Sequence, residues 1–369
     1  MHKVFQVVQH LRPGGLENMV LDIQQFSLFN ENTWVISLEG DKESALRHWP
    51  KLKAVEDRLI FLNKQEGLSI GLLSELKQFF EREQPDVIHT HHVGPLLYAG
   101  FAARLAGVKA IIHTEHDAWH LAARKRRMLQ KLALKLARPI VVADGSAVAQ
   151  SLQLNLGLEQ VKTIHNGIDT NRFCPGSKAE ARQKLSLPQN VRLVGCSGRM
   201  EAVKNHEMLI GAIGYLDEDI HLVLAGDGSC MPQLQYRTLV EGLGHRVHFL
   251  GHTDDMPVFY QALNLFCLPS LFEGFPLAPL EAQACNIPAI VTDVGCCKDT
   301  LCPISGRLLE NHHAKDAANA IADVLNSRLE ANPRQFITRH FDVRTMAKAY
   351  DDLCHLELNG QAALVEDSK

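Results

Sequence analysis

The chain has 369 residues, 46% hydrophobic and 22% charged, with a formal net charge of −4. This composition excludes a disordered chain and leaves room for two domains. No run reaches the length of a membrane span, and the opening residues lack the apolar core of a signal peptide, so a cytoplasmic protein is expected.

The first predicted element is a strand, Lys3–Gln9. His10-Leu-Arg-Pro-Gly-Gly-Leu-Glu17 follows it and leads into a helix. Gly14 and Gly15 let the backbone bend and approach a ligand, though an ordinary strand-to-helix turn reads the same way. The Gly-x-Gly-x-x-Gly spacing of a dinucleotide site does not match here. Strands are next expected at Thr33–Leu38, Val87–His89, Ala110–Thr114 and Ile140–Ala143, with helices such as Leu68–Glu83 and Pro95–Ala106 between them. That alternation predicts a parallel sheet with crossover helices. His113-Thr-Glu-His-Asp117 is placed just after a strand, which makes His116 and Asp117 candidates for touching a substrate. Arg124-Lys-Arg-Arg127 opens a basic helical stretch with Lys131, Lys135 and Arg138, and Leu129, Leu132 and Leu136 share one face. The stretch reads either as a solvated basic face or as a contact for an anionic membrane surface. Nucleic acid is disfavoured by the acidic balance and the lack of interleaved aromatics.

Ile164-His-Asn-Gly-Ile-Asp-Thr-Asn-Arg-Phe-Cys-Pro-Gly-Ser177 is loop-like and marks a domain boundary. A second series of strands follows: Arg192–Ser197, His221–Ala225, Val247–Leu250, Leu265–Leu268 and Ala289–Val291. Helices such as His206–Leu216 and Pro257–Ala262 separate them. Gly195-Cys-Ser-Gly-Arg199 ends the first of these strands. Arg199 and Lys204 beside it would suit a diphosphate. Ala225-Gly-Asp-Gly-Ser229 is a tight turn read as structural, and His252 could border a base pocket. Pro269-Ser-Leu-Phe-Glu-Gly-Phe-Pro-Leu-Ala-Pro-Leu-Glu281 then carries two glutamates around a predicted helix start, Leu277–Cys285. Free backbone N–H groups at that start suit phosphate, and the carboxylates of Glu273 and Glu281 suit hydroxyl groups. A last helix is expected over Val343–Leu358, with a frayed segment at Asn359–Lys369. All nine cysteines lie in this second half and read as small buried residues.

Together these motifs resemble the retaining glycosyltransferases of family 4. Glu273 and Glu281 match that family's E-x7-E pattern, Gly198-Arg199 with Lys204 its G-R-x-x-x-x-K segment, and Asn166-Gly-Ile-Asp169 its N-G-V-D. Gly14-Gly15 with Glu17 resembles its N-terminal glycine loop. Departures lie at Asn205 and Pro276, where glycine is usual, at Asp299, and at Cys296-Cys297 after Gly295.

The resemblance implies a GT-B fold, with two Rossmann-like domains facing across a cleft. Residues 1–165 would bind acceptor, 166–340 would bind the nucleotide sugar, and 341–369 would form a helix crossing back to the first domain, then a tail. It further implies that Gly14 and Gly15 approach the donor and that His116 contacts the transferred sugar. Arg199 and Lys204 would neutralise the diphosphate. Glu273 would hold sugar hydroxyls and Glu281 the ribose, while Phe275, Pro276, Leu277 and Ala278 line the donor. No metal and no cofactor are expected, the nucleoside-diphosphate sugar being a co-substrate. The implied acceptor is a glycan or a polyprenyl-diphosphate-linked sugar in polysaccharide biosynthesis, with peripheral membrane contact through Arg124–Arg138. A non-catalytic nucleotide-sugar-binding subunit and another GT-B enzyme, such as a nucleotide-sugar epimerase, stand as alternatives.

Overall fold

A computed structural model describes residues 2–65, 67–327 and 332–366. The chain divides into two compact units. Unit 1 comprises Met1–Asn166 and Val343–Lys369, and unit 2 comprises Gly167–Asp342.

Unit 1 is built on a parallel sheet. Its strands are β1 (Val4–Val8), β2 (Thr33–Ser37), β3 (Leu59–Phe61), β4 (Val87–His91), β5 (Ala110–Glu115), β6 (Ile140–Ala143) and β7 (Lys162–Thr163), in the order β3-β2-β1-β4-β5-β6-β7. Val4, Val8, Val35, Val87 and Ile112 point to one face, and Phe5, Val7, Ile36, Ile88 and Ile111 to the other. Both faces are covered by helices, which is why these strands read as unbroken apolar runs. The helix Gly15–Phe26 shares the first face with the last helix, Val343–Glu366, through Met19, Val20, Ile23, Met346, Tyr350 and Leu353. Asp351 fastens that last helix, accepting hydrogen bonds from Ser27 Oγ at 2.5 Å and from the Leu28 N–H at 2.8 Å. The helix continues to Glu366 rather than fraying from Asn359, and residues 367–369 lie outside the described residues.

Unit 2 repeats the plan. Its strands are β8 (Arg192–Ser197), β9 (Ile220–Ala225), β10 (Val247–Gly251), β11 (Leu265–Leu268), β12 (Ala289–Thr292) and β13 (Arg307–Leu309), in the order β10-β9-β8-β11-β12-β13 and paired in parallel. Among the described residues its core gathers Val194, Leu222, Leu224, Leu265 and Ile290 with the helix His206–Ile213 and the helix Ala314–Asn326.

In each sheet the strand order reverses beside the first strand of the unit, between β1 and β4 and between β8 and β11. Open parallel sheets bind ligands at the carboxyl ends of the strands flanking such a switch. The glycine loop leaves β1, Arg199 and Lys204 follow β8, and Glu273 follows β11. The expected helix over Pro95–Ala106 differs from the structure: a turn at Val93–Pro95 runs into a π-helical segment, Leu96–Gly100, before α-helix resumes at Phe101–Leu105.

Candidate functional site

In unit 2 two loops meet at the switch point. Gly198 and Arg199 leave the end of β8, and the exposed Arg199 is followed by the single turn Ala202–Lys204. Asn205 has φ 52° and ψ 40°, a left-handed conformation that asparagine accepts at little cost, so it does the work of the glycine it replaces. Its side-chain amide donates to the Pro269 carbonyl at 3.3 Å, and the Leu271 N–H donates to the Val203 carbonyl at 2.8 Å. These two bonds tie the Lys204 loop to the Glu273 loop.

Lys204 Nζ donates to Glu273 Oε1 at 2.5 Å, and Ser270 Oγ donates to the same oxygen at 2.6 Å. Both charged side chains are largely covered, 20% exposed for Lys204 and 10% for Glu273. Glu281 lies in the helix Ala278–Ala284 and accepts from Tyr260 Oη at 2.6 Å, while Ser197 Oγ stands 3.0 Å from that hydroxyl. Burial first, then the charge of Glu281, pushes the Tyr260 phenol well above its usual range. It is therefore a neutral donor to Glu281, and the Ser197 hydroxyl must donate to it. The far end of this helix is held by Arg334, which donates to the Ala284 carbonyl at 2.6 Å and the Phe173 carbonyl at 2.9 Å. A cation there complements the negative helix end.

The helix begins at Ala278 with Leu277 at its N-cap, rather than running Leu277–Cys285. Phe275 and Pro276 are buried under the loop, and the Phe275 ring lies 5.9 Å from that of Phe341. Two glycine turns support the loops from below. A Cβ on Gly226 would lie 2.0 Å from the Gly198 carbonyl oxygen, and one on Gly295 would lie 2.0 Å from that of Glu273. The Gly226 turn is thus the seat of the Arg199 loop. After Gly295, the Cys296 N–H donates to the Gly274 carbonyl at 2.9 Å, and both Cys296 and Cys297 are buried, so the cysteine pair serves as packing beneath Glu273. His252 stands exposed beside Asp254 at 3.2 Å.

In unit 1, Gly14 is the extended N-cap residue of the helix Gly15–Phe26, and its Cα lies against Glu17, which pairs with His10 at 3.2 Å. β5 extends through Glu115, so His113 lies inside the strand rather than after it. His116 is buried and held on both sides. Its Nε2 is 3.1 Å from Nδ1 of His91, and its Nδ1 is 3.3 Å from Asp144 Oδ2. Burial, then the neighbouring imidazoles, keeps His91 neutral. Nε2 of His91 gives its hydrogen to Gln6 Oε1 at 2.9 Å, so its Nδ1 accepts from His116. The Nε2 hydrogen of His116 is engaged before any ligand arrives. Asp117 pairs with His120 at 3.1 Å.

The basic helix forms over Arg124–Ala137, but it buries Gln130, Ala133, Leu134 and Ala137. Leu129 and Leu132 are 39% and 49% exposed instead, beside Met128 at 62% and Trp119 at 53%. Sequence reasoning missed Tyr260, His91, His92, Glu115 and Asp144, for which residue type alone gives no positional signal.

Comparison with known proteins adds three findings. The family model described as Glycosyltransferase Family 4 matches residues 13–172, and the model described as Glycosyl transferases group 1 matches residues 177–340. Among curated proteins, an Escherichia coli UDP-Gal:alpha-D-GlcNAc-diphosphoundecaprenol alpha-1,3-galactosyltransferase is 29% identical over 77% of this chain and 80% of its own. A D-inositol 3-phosphate glycosyltransferase of Mycolicibacterium smegmatis is 29% identical over 65% of this chain and 60% of its own. Among solved structures, Anabaena HepE in complex with UDP superposes with a TM-score of 0.82 at 20% identity, covering 95% of this chain and 99% of HepE. A Rickettsia africae glycosyltransferase gives 0.83 at 19% identity, covering 97% and 98%. The fold is that of the GT-B enzymes.

Proposed function

Because this chain belongs to glycosyltransferase family 4, we propose that it transfers a sugar, with retention of anomeric configuration, from a uridine-diphosphate sugar to a lipid-linked glycan acceptor. The observation that carries this reading is the pair of carboxylates at one switch point of unit 2. Glu273 stands against Lys204 and Glu281 stands against Tyr260. Unlike an acid–base dyad, each carboxylate is built into its own hydrogen-bonded support. Two separate grips suit the two polyol ends of one donor.

In this reading Arg199 and Lys204 take the diphosphate. The Leu277 and Ala278 backbone N–H groups face its oxygens, with Phe275 and Pro276 as the loop beneath. Glu281 takes the ribose hydroxyls, and Glu273 the hydroxyls of the transferred sugar. Lys204 and Glu273 neutralise each other at 2.5 Å before binding. Arrival of a diphosphate recruits the ammonium and turns the carboxylate toward sugar hydroxyls. Gly14, Gly15 and His116 of unit 1 serve the transferred group. The Nε2 of His116 is held against His91 at 3.1 Å and its Nδ1 against Asp144 at 3.3 Å, so His116 presents a fixed ring edge rather than a free donor. The acceptor hydroxyl oxygen bonds to the anomeric carbon as the bond to the phosphate oxygen breaks. The acceptor proton passes to that phosphate oxygen, and the cations stabilise the departing diphosphate. The assignment needs no metal and no further cofactor.

UDP as the nucleotude is supported by the HepE complex, and a polyprenyl-diphosphate sugar by the Escherichia coli relative. The basic helix supports a lipid setting. Its cations crowd the helix N-terminus, where the dipole disfavours them, beside exposed Trp119, Met128, Leu129 and Leu132. No described helix is long and apolar enough to cross a membrane. Peripheral contact through Arg124–Arg138 would bring the protein to its acceptor.

The test is a thermal-shift screen of nucleoside diphosphates and their sugars, followed by NDP release with and without a polyprenyl-diphosphate N-acetylglucosamine acceptor. Stabilisation by UDP and acceptor-dependent UDP release are expected. Binding without turnover would favour a non-catalytic subunit, and product formation without acceptor would favour an epimerase.

A further inference from the structure

Unit 1 has its own switch point, between β1 and β4, and an unusual residue occupies it. β4 ends at His91, and His92 follows with φ 65° and ψ 166°. Glycine alone enters that region readily, because a Cβ there collides with the flanking peptide groups. The π-helical segment Leu96–Gly100 begins within the next turn, a second irregularity in the same crossover.

The side chain shows what the strained backbone holds in place. His92 Nδ1 lies 3.1 Å from Oε1 of Glu115, a carboxylate with no exposed surface. The other oxygen of Glu115 accepts from Gln130 Nε2 at 2.7 Å and lies 3.3 Å from His113 Nε2. Burial works against the charge of Glu115, but hydrogen bonds from His113 and His92 outweigh it and hold the carboxyl far below its usual range. Burial likewise works against the charge of His92, and Glu115 first, then Asp117 and Glu17, overcome it, so the imidazole is more basic than usual. The His92 side chain is 38% exposed. Nδ1 is directed inward to Glu115, and Nε2 makes no hydrogen bond among the described residues. A donor nitrogen fixed from behind by a buried carboxylate, with Glu17 and Asp117 close enough to act on it, is suited to a neutral polyol. Hydroxyl groups can accept from the imidazole and donate to the carboxylates.

We propose that His92, oriented by Glu115, binds a hydroxyl group of the acceptor sugar on unit 1. This rests on the assignment of unit 2 to the donor. Nε2–H donates to the acceptor oxygen, and Glu115 is a positioning residue that sets the tautomer and aim of the ring. Among the described residues, no other ionisable side chain in unit 1 stands at the switch point on a backbone of this kind.

His92→Gly and His92→Asn test it. Glycine adopts this backbone freely, and asparagine is no worse placed on it than the histidine it replaces. Transfer from UDP-sugar to a short-chain alkyl-diphosphate N-acetylglucosamine is measured with UDP affinity and acceptor-free donor hydrolysis. The expected result for His92→Gly is a rise of tenfold or more in acceptor KM, with UDP affinity and hydrolysis within twofold of the parent. His92→Asn should recover part of the loss. An unchanged acceptor KM, or a fall in hydrolysis as large as the fall in transfer, overturns the proposal. If the parent hydrolyses donor but transfers to no acceptor offered, the hydrolysis comparison decides alone. If the parent releases no UDP at all, the transferase reading itself has failed and this proposal falls with it.

Discussion

Replacing Tyr260 by phenylalanine isolates one atom of the proposed donor grip. Tyr260 is fully buried, and its hydroxyl gives a 2.6 Å hydrogen bond to the Glu281 carboxylate while standing 3.0 Å from Ser197 Oγ. A hydrogen bond to a charged group contributes about 1.5–3 kcal/mol net, and a neutral one about 0.5–1.5 kcal/mol. Phenylalanine keeps the ring contacts with Phe173, Phe259 and Phe266, so packing is preserved. The expected cost to folding is therefore about 2–4.5 kcal/mol, which lowers the melting temperature of a unit this size by roughly 4–18 °C. Binding should weaken separately, because Glu281 loses the donor that aims it. A loss of about 1 kcal/mol, or roughly fivefold in Kd, follows if half of the charged bond expresses itself in ribose recognition. Calorimetry with UDP, 2′-deoxy-UDP and 3′-deoxy-UDP at a temperature where both proteins are folded measures this. The wild type should discriminate against the deoxy nucleotides, and Tyr260→Phe should discriminate less. A Tyr260→Phe protein that binds UDP as tightly as the parent, with the same preference for intact ribose, would refute the reasoning.

Further outcomes are expected elsewhere. Lys204→Ala should cut turnover by at least a hundredfold while shifting the melting temperature little, because its partner Glu273 keeps the hydrogen bond from Ser270; turnover near the wild-type rate in a steady-state assay counts against its role. Gly226→Ala places a Cβ 2.0 Å from the Gly198 carbonyl oxygen at a residue with φ 136°, so melting temperature and turnover should fall together as the Arg199 loop is displaced. His206 is buried and its imidazole is pushed down to about 4, first by burial and then by Lys204. Its folded pKa lies below the unfolded value near 6.5, so the unfolded chain binds more protons between these values and stability falls as pH drops through that window. The loss is roughly 3 kcal/mol at full extent. Hydrogen exchange of β8 and β11 at pH 7 and pH 5 should show this, and His206→Leu should flatten that dependence in unit 2. Replacing Arg124, Lys125 and Arg126 by alanine should abolish sedimentation with phosphatidylglycerol vesicles and leave donor hydrolysis unchanged.

Much of the fold was legible because both sheets are buried on two faces. Val87–His89, the start of β4, and Leu265–Leu268 are apolar or compact enough to announce themselves, and the alternation with helices fixes a parallel order. The strands not foreseen, Leu59–Phe61, Lys162–Thr163 and Arg307–Leu309, are short and edge-placed or nearly so, and each has exposed or half-exposed positions. The charged set of unit 2 was legible because Arg199, Lys204, Glu273 and Glu281 sit in punctuated loops and at a helix start. Their supports were not. Tyr260 belongs to a short helix, Met256–Gln261, whose residues read as ordinary core. The shared face of Leu129 and Leu132 was legible, but not that the helix turns Gln130, its alanines and Leu134 inward and leaves those leucines partly exposed. His92 is the clearest case. In sequence it is one histidine among three in a row of strand-like residues, and only its backbone conformation and its buried partner distinguish it.

The central claim is retaining sugar transfer from a donor gripped by unit 2. Proton NMR of the product, formed from an α-configured UDP-sugar and a polyprenyl-diphosphate acceptor analogue, tests it most directly through the anomeric coupling of the new linkage. The account predicts an α-linked product whose formation disappears in Lys204→Ala. A β-linked product, or α-linked product formed at the wild-type rate by Lys204→Ala, would contradict it.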